Sequence, residues 1–470
     1  MDTTLSLTAG QHAILRRHLF PGDGKEAAAI LLCGRRAGAF RHRLLVQKIY
    51  LIPHAACFDR TPTSIEWPTD IMVPWLQKAD WMGLSVIKIH SHPGSYARFS
   101  AQDDESDADL FPCIAEWVGA DVPHASVVML EDGRMFGRVV RGEGEFERLR
   151  LVAIVGDDLH FWRPYHFGHE PAPDLPDFTK RHAKAFGAPT TQALRGLAIA
   201  VVGCSGLGSP TIAQFAHLGV ARLVLVDGDK VHMLNLNRIF YATAEDARKE
   251  RFKVDVLADA VERIGLGTVV TRKPVNLYTP EAVCAVAECD IIIGCVDSAE
   301  GRFLMNLIAN FYVLPYIDVG VTLEAEDDGE IGQVCGYLHY LQPGSSSLLS
   351  RGAITLDDVK AEGMKRQNPA YYEEQRKAGY IKGVDEDRPA VISVNTQFAG
   401  LAVNELIARL HPYRENSNRA YAKIGLSLSE LAFYPEPEPS AVCRYMSRQV
   451  GKGDMQPLLN LPELSEGVPP

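Results

Sequence analysis

Two sets of residues in this chain have the types and spacing that chemistry needs. The first is His90-Ser91-His92-Pro93, followed by Ser100-Ala101-Gln102-Asp103. Two histidines at i and i+2 on a strand point to the same side and can share one metal ion. Asp103 adds a hard oxygen donor from the first turn of the next helix. Three protein ligands leave one position open for water, which is the arrangement of a catalytic rather than a structural zinc. Such a site also needs a base, and Glu26, on the approach to the apolar run Ala27 to Cys33, is the candidate. The bland alternative is a pair of surface histidines beside a Ser-x-x-Asp box that caps a helix.

The second set begins at Ala198. Leu197 to Val202 is apolar without alternation, as a parallel strand covered on both faces requires. Gly203, Gly206 and Gly208 then bring backbone amides to a helix N-terminus, which suits a phosphate. A second strand, Arg222 to Val226, delivers Asp227 and Asp229, and Asp227 can take a ribose hydroxyl. On these residues alone an NAD-dependent dehydrogenase fits almost as well. The residues beyond Asp229 separate the two. Asn235-Leu236-Asn237-Arg238, then Lys253 in the next helix, supply cations for a polyphosphate, and Asp297 ends a buried strand where it can hold magnesium. A glycine cradle, two cations and an acid make an adenylation site that uses ATP and Mg²⁺.

Each set resembles a known family. Glu26, His90-Ser-His92-Pro and Ser100-x-x-Asp103 together resemble the JAMM (MPN-domain) metalloproteases over about the first 150 residues. The resemblance implies that His90, His92 and Asp103 hold zinc, that Glu26 takes a proton from the attacking water, and that Ser100 hydrogen-bonds the oxyanion. It implies a bond after the C-terminal glycine of a ubiquitin-like protein as substrate. Gly203-Cys-Ser-Gly206-Leu-Gly208-Ser209, Asp227-Gly-Asp229-Lys-Val231, Asn235-Leu-Asn-Arg238, Lys253 and Asp297 resemble the ubiquitin-activating (ThiF/MoeB) superfamily over about residues 178–434. There Asp227 would bind the ribose, Asn235, Arg238 and Lys253 the phosphates, and Asp297 would orient magnesium and the attacking carboxylate. Arg181, ahead of Phe186-Gly187, matches an arginine that in relatives reaches the phosphates from the neighbouring protomer of a homodimer.

The sequence departs from that superfamily in four places. Ser205 replaces a glycine and Ile239 a glutamine. Where relatives pair two Cys-x-x-Cys motifs around a structural zinc, this chain has Ser347-Leu-Leu-Ser350 and Cys443-Arg-Tyr-Met446, and one thiolate cannot hold a tetrahedral zinc. No cysteine lies between Gly344 and Ser393, where relatives that pass on their cargo carry the acceptor. Three routes stay open: direct hand-off of the adenylate to a conjugating-enzyme-like partner, a thioester on Cys335, or an oxyester on Ser345 to Ser347, Ser350 or Ser393. The resemblance thus implies a bifunctional enzyme of a bacterial ubiquitination-like pathway, with phage defence as a possible setting. Activation of a sulfur-carrier protein for cofactor biosynthesis is the alternative, and a silent adaptor is a third.

The elements that must position these groups form two patterns. Residues 1–155 read as a compact α+β unit, with helices at Thr8 to Leu19 and Asp103 to Val118 and strands at Ala27 to Cys33, Arg43 to Ile52 and Leu84 to His90. Residues 156–177, rich in proline, read as a linker. Residues 178–434 alternate strand and helix, including a helix around Ala244 to Ile264, and imply a doubly wound, mostly parallel Rossmann-like sheet. Within them Gly344 to Glu386 reads as an insertion, and residues 435–470 as a tail. The fold class is α/β. At 470 residues with 46% hydrophobic content the chain can fill two or three cores, and a net charge of −11 argues against nucleic acid. Nine scattered cysteines predict reduced thiols in the cytoplasm, and no run approaches membrane-spanning length.

Overall fold

The computed structural model describes residues 2–119, 121–141, 145–325, 331–378 and 390–465. The chain divides into two units. The first comprises Met1–Asp174, Phe311–Val313 and Val450–Gln456, and the second comprises the remainder.

The first unit opens with β1 (Asp2–Thr8), α1 (Ala9–Leu19), β2 (Ala28–Ala37) and β3 (Arg41–Leu51), then a ribbon of β4 (Asp59–Arg60) and β5 (Ile65–Glu66). It continues through α2 (Val73–Met82), β6 (Ser85–His92), α3 (Ala101–Val118), β7 (His124–Leu130), β8 (Met135–Arg141), β9 (Glu145–Arg148), β10 (Leu151–Val155) and β11 (Leu159–Trp162). Its large sheet runs β11-β10-β1-β3-β2-β6-β7-β8-β9. Alternate residues of β2 feed two cores. Leu31 and Cys33 pack with Leu15 and Leu19 of α1, while Ile30 and Leu32 pack with Leu76 of α2 and Phe111 and Ile114 of α3. Both faces of β2 are therefore covered, which is why Ala28 to Cys33 shows no polar alternation.

Two boundaries read from sequence are corrected by the structure. The stretch taken as a linker contributes β11, which pairs antiparallel with β10 and buries Leu159 and Phe161. Its neighbouring prolines concealed that short alternation. The stretch taken as a tail contains Val450–Gln456, which belongs to the first unit. Asp454 donates its backbone N–H to the Arg35 carbonyl at 2.6 Å, and Gly453 pairs with Arg35 as a parallel bridge. Gly34 makes that approach possible, since a Cβ there would lie 2.2 Å from the Gly451 carbonyl oxygen.

The second unit contains α4 (Lys180–Arg195), β12 (Ala198–Val202), α5 (Gly208–Leu218), β13 (Arg222–Val226), α6 (Ala244–Arg248), α7 (Lys253–Ile264) and β14 (Val269–Lys273). Then come α8 (Pro280–Ala287), β15 (Ile291–Gly294), α9 (Ala299–Phe311), β16 (Tyr316–Ala325) and β17 (Ile331–Leu341). After α10 (Leu356–Gln367), α11 (Pro369–Lys377) and α12 (Ile392–Leu410), the chain ends with β18 (Lys423–Ser427), β19 (Ala432–Glu436) and α13 (Arg444–Ser447). The sheet order β14-β13-β12-β15-β16-β17-β18-β19 has five parallel strands followed by antiparallel ones. The order reverses between β12 and β15, the crevice in which doubly wound sheets bind ligands.

The helix expected over Ala244 to Ile264 is two helices. Glu250 adopts φ 48°, and the chain leaves the helix so that Val231 N–H reaches the Arg251 carbonyl at 2.8 Å. The break puts Lys253 at the first position of α7, with its backbone N–H on the Asp229 carbonyl at 3.0 Å. Part of the predicted insertion, residues 379–386, lies outside the described residues, as do residues 387–389. Among the described residues no helix is long and apolar enough to cross a membrane.

Candidate functional site

In the first unit β6 and α3 converge on one point. β6 is buried along its whole length, and its last residues carry His90 and His92 to the same side. His90 Nε2 lies 2.9 Å from Asp103 Oδ1, His92 Nε2 lies 3.5 Å from Asp103 Oδ2, and the two Nε2 atoms are 3.1 Å apart. This trio is the cluster of potential metal ligands found among the described residues, with all ligand atoms within 4.8 Å of one another. His92 Nδ1 sits 2.7 Å from the Tyr96 carbonyl. That acceptor holds the proton on Nδ1 and leaves the Nε2 lone pair facing the other two ligands. The donor set and its tautomer fit zinc.

The helix-cap alternative is also present. Ser100 is the N-cap of α3: its hydroxyl accepts from Asp103 N–H at 3.1 Å, and Asp103 Oδ2 accepts from Ser100 N–H at 2.7 Å and Oγ–H at 2.8 Å. The box and the cluster share Asp103, one oxygen facing His90. Burial works against the Asp103 charge, but the facing His90 and His92 rings hold its carboxyl well below the usual range. Glu26 is 5% exposed. Burial pushes its pKa up to about 7, with His92 opposing, which is where a general base at neutral pH should sit. Ser91, pointing the opposite way from its histidine neighbours, accepts from Ala27 N–H at 2.9 Å and so ties β6 to the residue after Glu26.

In the second unit a cavity of about 650 Å³ opens at the β12/β15 crevice. Gly203, Gly206, Asp227, Asp229, Asn235, Arg238, Lys253 and Asp297 all line it. Gly203 has φ +90°, and a Cβ there would lie 2.6 Å from the Cys295 carbonyl oxygen. Gly208 does not line the cavity. It opens α5, where a Cβ would strike the Gly203 carbonyl oxygen at 1.8 Å, so its role is to let helix and turn close together. Ser205 keeps its φ outside the left-handed region, so the departure from glycine costs no strain. Ile239 is buried.

Asp227 accepts from Cys204 N–H at 2.7 Å and Asp229 N–H at 2.8 Å, which fixes its carboxylate at the strand tip. Burial raises its pKa, with Lys253 opposing. Lys253, 6% exposed, reaches Asp229 Oδ2 at 2.7 Å. Arg238 is held by the Leu234 carbonyl at 2.9 Å and Asn237 Oδ1 at 3.2 Å. Asn235 Oδ1 accepts from His232 N–H at 3.1 Å. Asp297 is exposed just past β15. One carboxylate beside bound phosphates is a sufficient protein contribution for magnesium. Arg181 is exposed on the first turn of α4 and is not among the lining residues.

Sequence reasoning missed the cavity's floor. Arg302 of α9 lines it and donates Nε to both oxygens of Asp318, at 3.0 and 3.1 Å, while Tyr316 donates its hydroxyl to Asp318 at 2.7 Å. Asp318 is fully buried. An acid between Ile317 and Val319, in the apolar opening of β16, was the available signal. Asp318→Ala leaves a buried guanidinium unpaired and should destabilise the unit by about 3–5 kcal/mol, read as a lowered midpoint in urea unfolding. Of the acceptor candidates, Cys335 is half-buried on β17 opposite Thr322. Ser346 and Ser347 are buried, while Ser350 and Ser393 are exposed.

Residues 179–443 match the model of the ThiF family, more than half of the 470 residues. The chain belongs to the ThiF family. This membership closes the dehydrogenase alternative. Residues 8–140 match the model of prokaryotic homologs of the JAB domain, so one chain joins a JAB-type unit to a ThiF-type unit. Among curated relatives, ubiquitin-like modifier-activating enzyme 5 of Culex quinquefasciatus is 26% identical over 188 residues, covering 37% of this chain and 45% of that protein. The enzyme of the same name from Drosophila mojavensis is also 26% identical, covering 37% and 44%. The chain thus spans less than half the length of these relatives. Among solved structures, E. coli MccB with MccA-N7isoASN shares 18% identity at a TM-score of 0.44, covering 58% of this chain and 75% of that one.

Proposed function

We propose that the ThiF-type unit adenylates the C-terminal glycine of a ubiquitin-like protein, and that the JAB-type unit cleaves bonds made to that glycine. The observation that carries the first half is the one cavity in which the glycine turn, Asp227, Arg238, Lys253 and Asp297 meet. Asp227 takes the ribose of ATP, and Asn235, Arg238 and Lys253 take its phosphates. Arg181 reaches them from the neighbouring protomer of a homodimer. Asp297 would hold magnesium, which would supply neutralisation of the phosphate charge. A glycine carboxylate oxygen attacks the α-phosphorus, the bond from that phosphorus to its bridging oxygen breaks, and pyrophosphate leaves an acyl-adenylate behind. The insect relatives' name, ubiquitin-like modifier-activating enzyme 5, supports a ubiquitin-like substrate. The acyl group then passes to a conjugating-enzyme-like partner, or to an accessible hydroxyl such as Ser345, Ser350 or Ser393.

In the JAB-type unit His90, His92 and Asp103 are the residues for zinc, whose Lewis acidity makes water a nucleophile near neutral pH. Glu26 takes a proton from that water and returns it to the leaving amine. Ser100 turns its hydroxyl from Asp103 to the oxyanion. Purified protein should carry about one zinc per chain, and Asp103→Ala should drop zinc well below stoichiometric while ATP–pyrophosphate exchange persists.

ATP–pyrophosphate exchange tests the whole reading. It should require a ubiquitin-like protein ending in glycine and vanish when that carboxylate is amidated. Exchange followed by a thiocarboxylate rather than a protein conjugate would instead indicate sulfur-carrier activation.

A further inference from the structure

One cavity in the first unit is unused by either reaction. It measures about 840 Å³ and is walled by Arg98, Phe99, Asp104, Phe136, Arg138, Phe146, Arg148 and His169, among others. Its floor is aromatic: Phe136 meets Phe99 at 5.4 Å and His169 at 5.2 Å, edge to face. His169 is fixed by the Ala97 carbonyl at 2.5 Å. Arg138 lies between the Phe99 and Phe146 rings, 3.8 and 3.7 Å from their centroids.

Most charges around this cavity are already matched. Arg138 pairs with Asp104 and Asp107, Arg150 with Glu170, and Glu147 with Arg141. Arg98 and Arg148 line the cavity, are exposed, and have no ion-pair partner among the described residues. Asp2 also lines the cavity, 3.9 Å from Arg150, so the two cations left without a carboxylate partner among the described residues at the mouth of this aromatic-floored cavity are Arg98 and Arg148. Arg148 and Phe146 stand on β9, the last strand of the sheet, whose outer edge is unpaired among the described residues. An edge strand offers main-chain donors and acceptors to an extended chain. Charge, aromatic floor and open edge together call for one ligand: an extended peptide with acidic and apolar side chains. The cavity wall and the metal cluster share one segment, since Arg98 and Phe99 precede Ser100 and Asp104 follows Asp103.

We infer that this cavity docks an acidic, extended protein segment and serves as a substrate subsite of the adjoining JAB-type centre. The subsite role rests on the peptidase reading; the docking does not. Docking is measured with the full chain by fluorescence anisotropy, using a short labelled peptide that alternates glutamate with leucine and a matched peptide with lysine in place of glutamate. The glutamate peptide should bind more tightly, and less so as salt rises. Arg98→Glu with Arg148→Glu should weaken it by about tenfold, the sum of two partly exposed ion pairs. The lysine peptide should gain from the same change, which a misfolded variant would not show. Equal binding of both peptides, absence of binding, or displacement by inorganic phosphate would overturn the proposal. In Glu26→Gln the preference should be unaltered. If Glu26→Gln spares hydrolysis while the arginine-dependent preference persists, the peptidase reading fails and the docking site stands.

Discussion

Asp297→Ala should abolish ATP–pyrophosphate exchange while leaving peptide cleavage and zinc content as they were. The side chain lies exposed just past β15, at the carboxyl end of a strand whose other residues are fully buried. Its loss removes no core contact, so the fold should hold. It does remove the acid placed to hold magnesium and to orient the incoming carboxylate. Electrostatic groups aimed at charge that develops during reaction are worth about a hundredfold to a thousandfold in rate. Asp297→Asn keeps the shape and loses the charge, and should be nearly as inactive. A folded Asp297→Ala protein that also lost peptidase activity would break the two-site account.

Glu26→Gln should give the mirror image: cleavage falls by about a hundredfold to ten-thousandfold, the usual contribution of a positioned base, and exchange is untouched. Glutamine matches the volume of a residue that is 5% exposed, so packing is conserved. The amide cannot take a proton from water. Because burial has raised the pKa of the carboxyl to about 7, replacing it by a neutral amide also removes a charge that burial disfavours, and thermal stability should be equal or higher. Zinc content separates this outcome from damage to the cluster, since Glu26 is not among the ligands.

The chemistry-bearing residues were legible because their spacing mirrors geometry. His90 and His92 fall on one side since a strand has a period of two, and Asp103 joins them because Ser100 starts a helix with its cap three residues ahead. The parallel strands were legible from unbroken apolar runs such as Ile291 to Ile293. What escaped depends on contacts far along the chain. Asp318 takes its partner from Arg302 of α9, a contact that strand periodicity does not encode. Lys253 was expected inside a helix, but the pairing of Val231 with Arg251 breaks that helix and sets the lysine at a new N-terminus. Val450–Gln456 joins the first unit through backbone bonds to Arg35, which composition cannot reveal. Arg181 sits away from the cavity lining, so its proposed role needs a second protomer.

The central claim is that this chain makes an acyl-adenylate on a C-terminal glycine. Intact-mass spectrometry after incubation with ATP and a ubiquitin-like protein ending in glycine tests it most directly. The account predicts a species of that protein heavier by one adenylyl group, lost on treatment with hydroxylamine and absent with Asp297→Ala. Hydrolysis of ATP to ADP and phosphate, with the ubiquitin-like protein unchanged in mass, would contradict it.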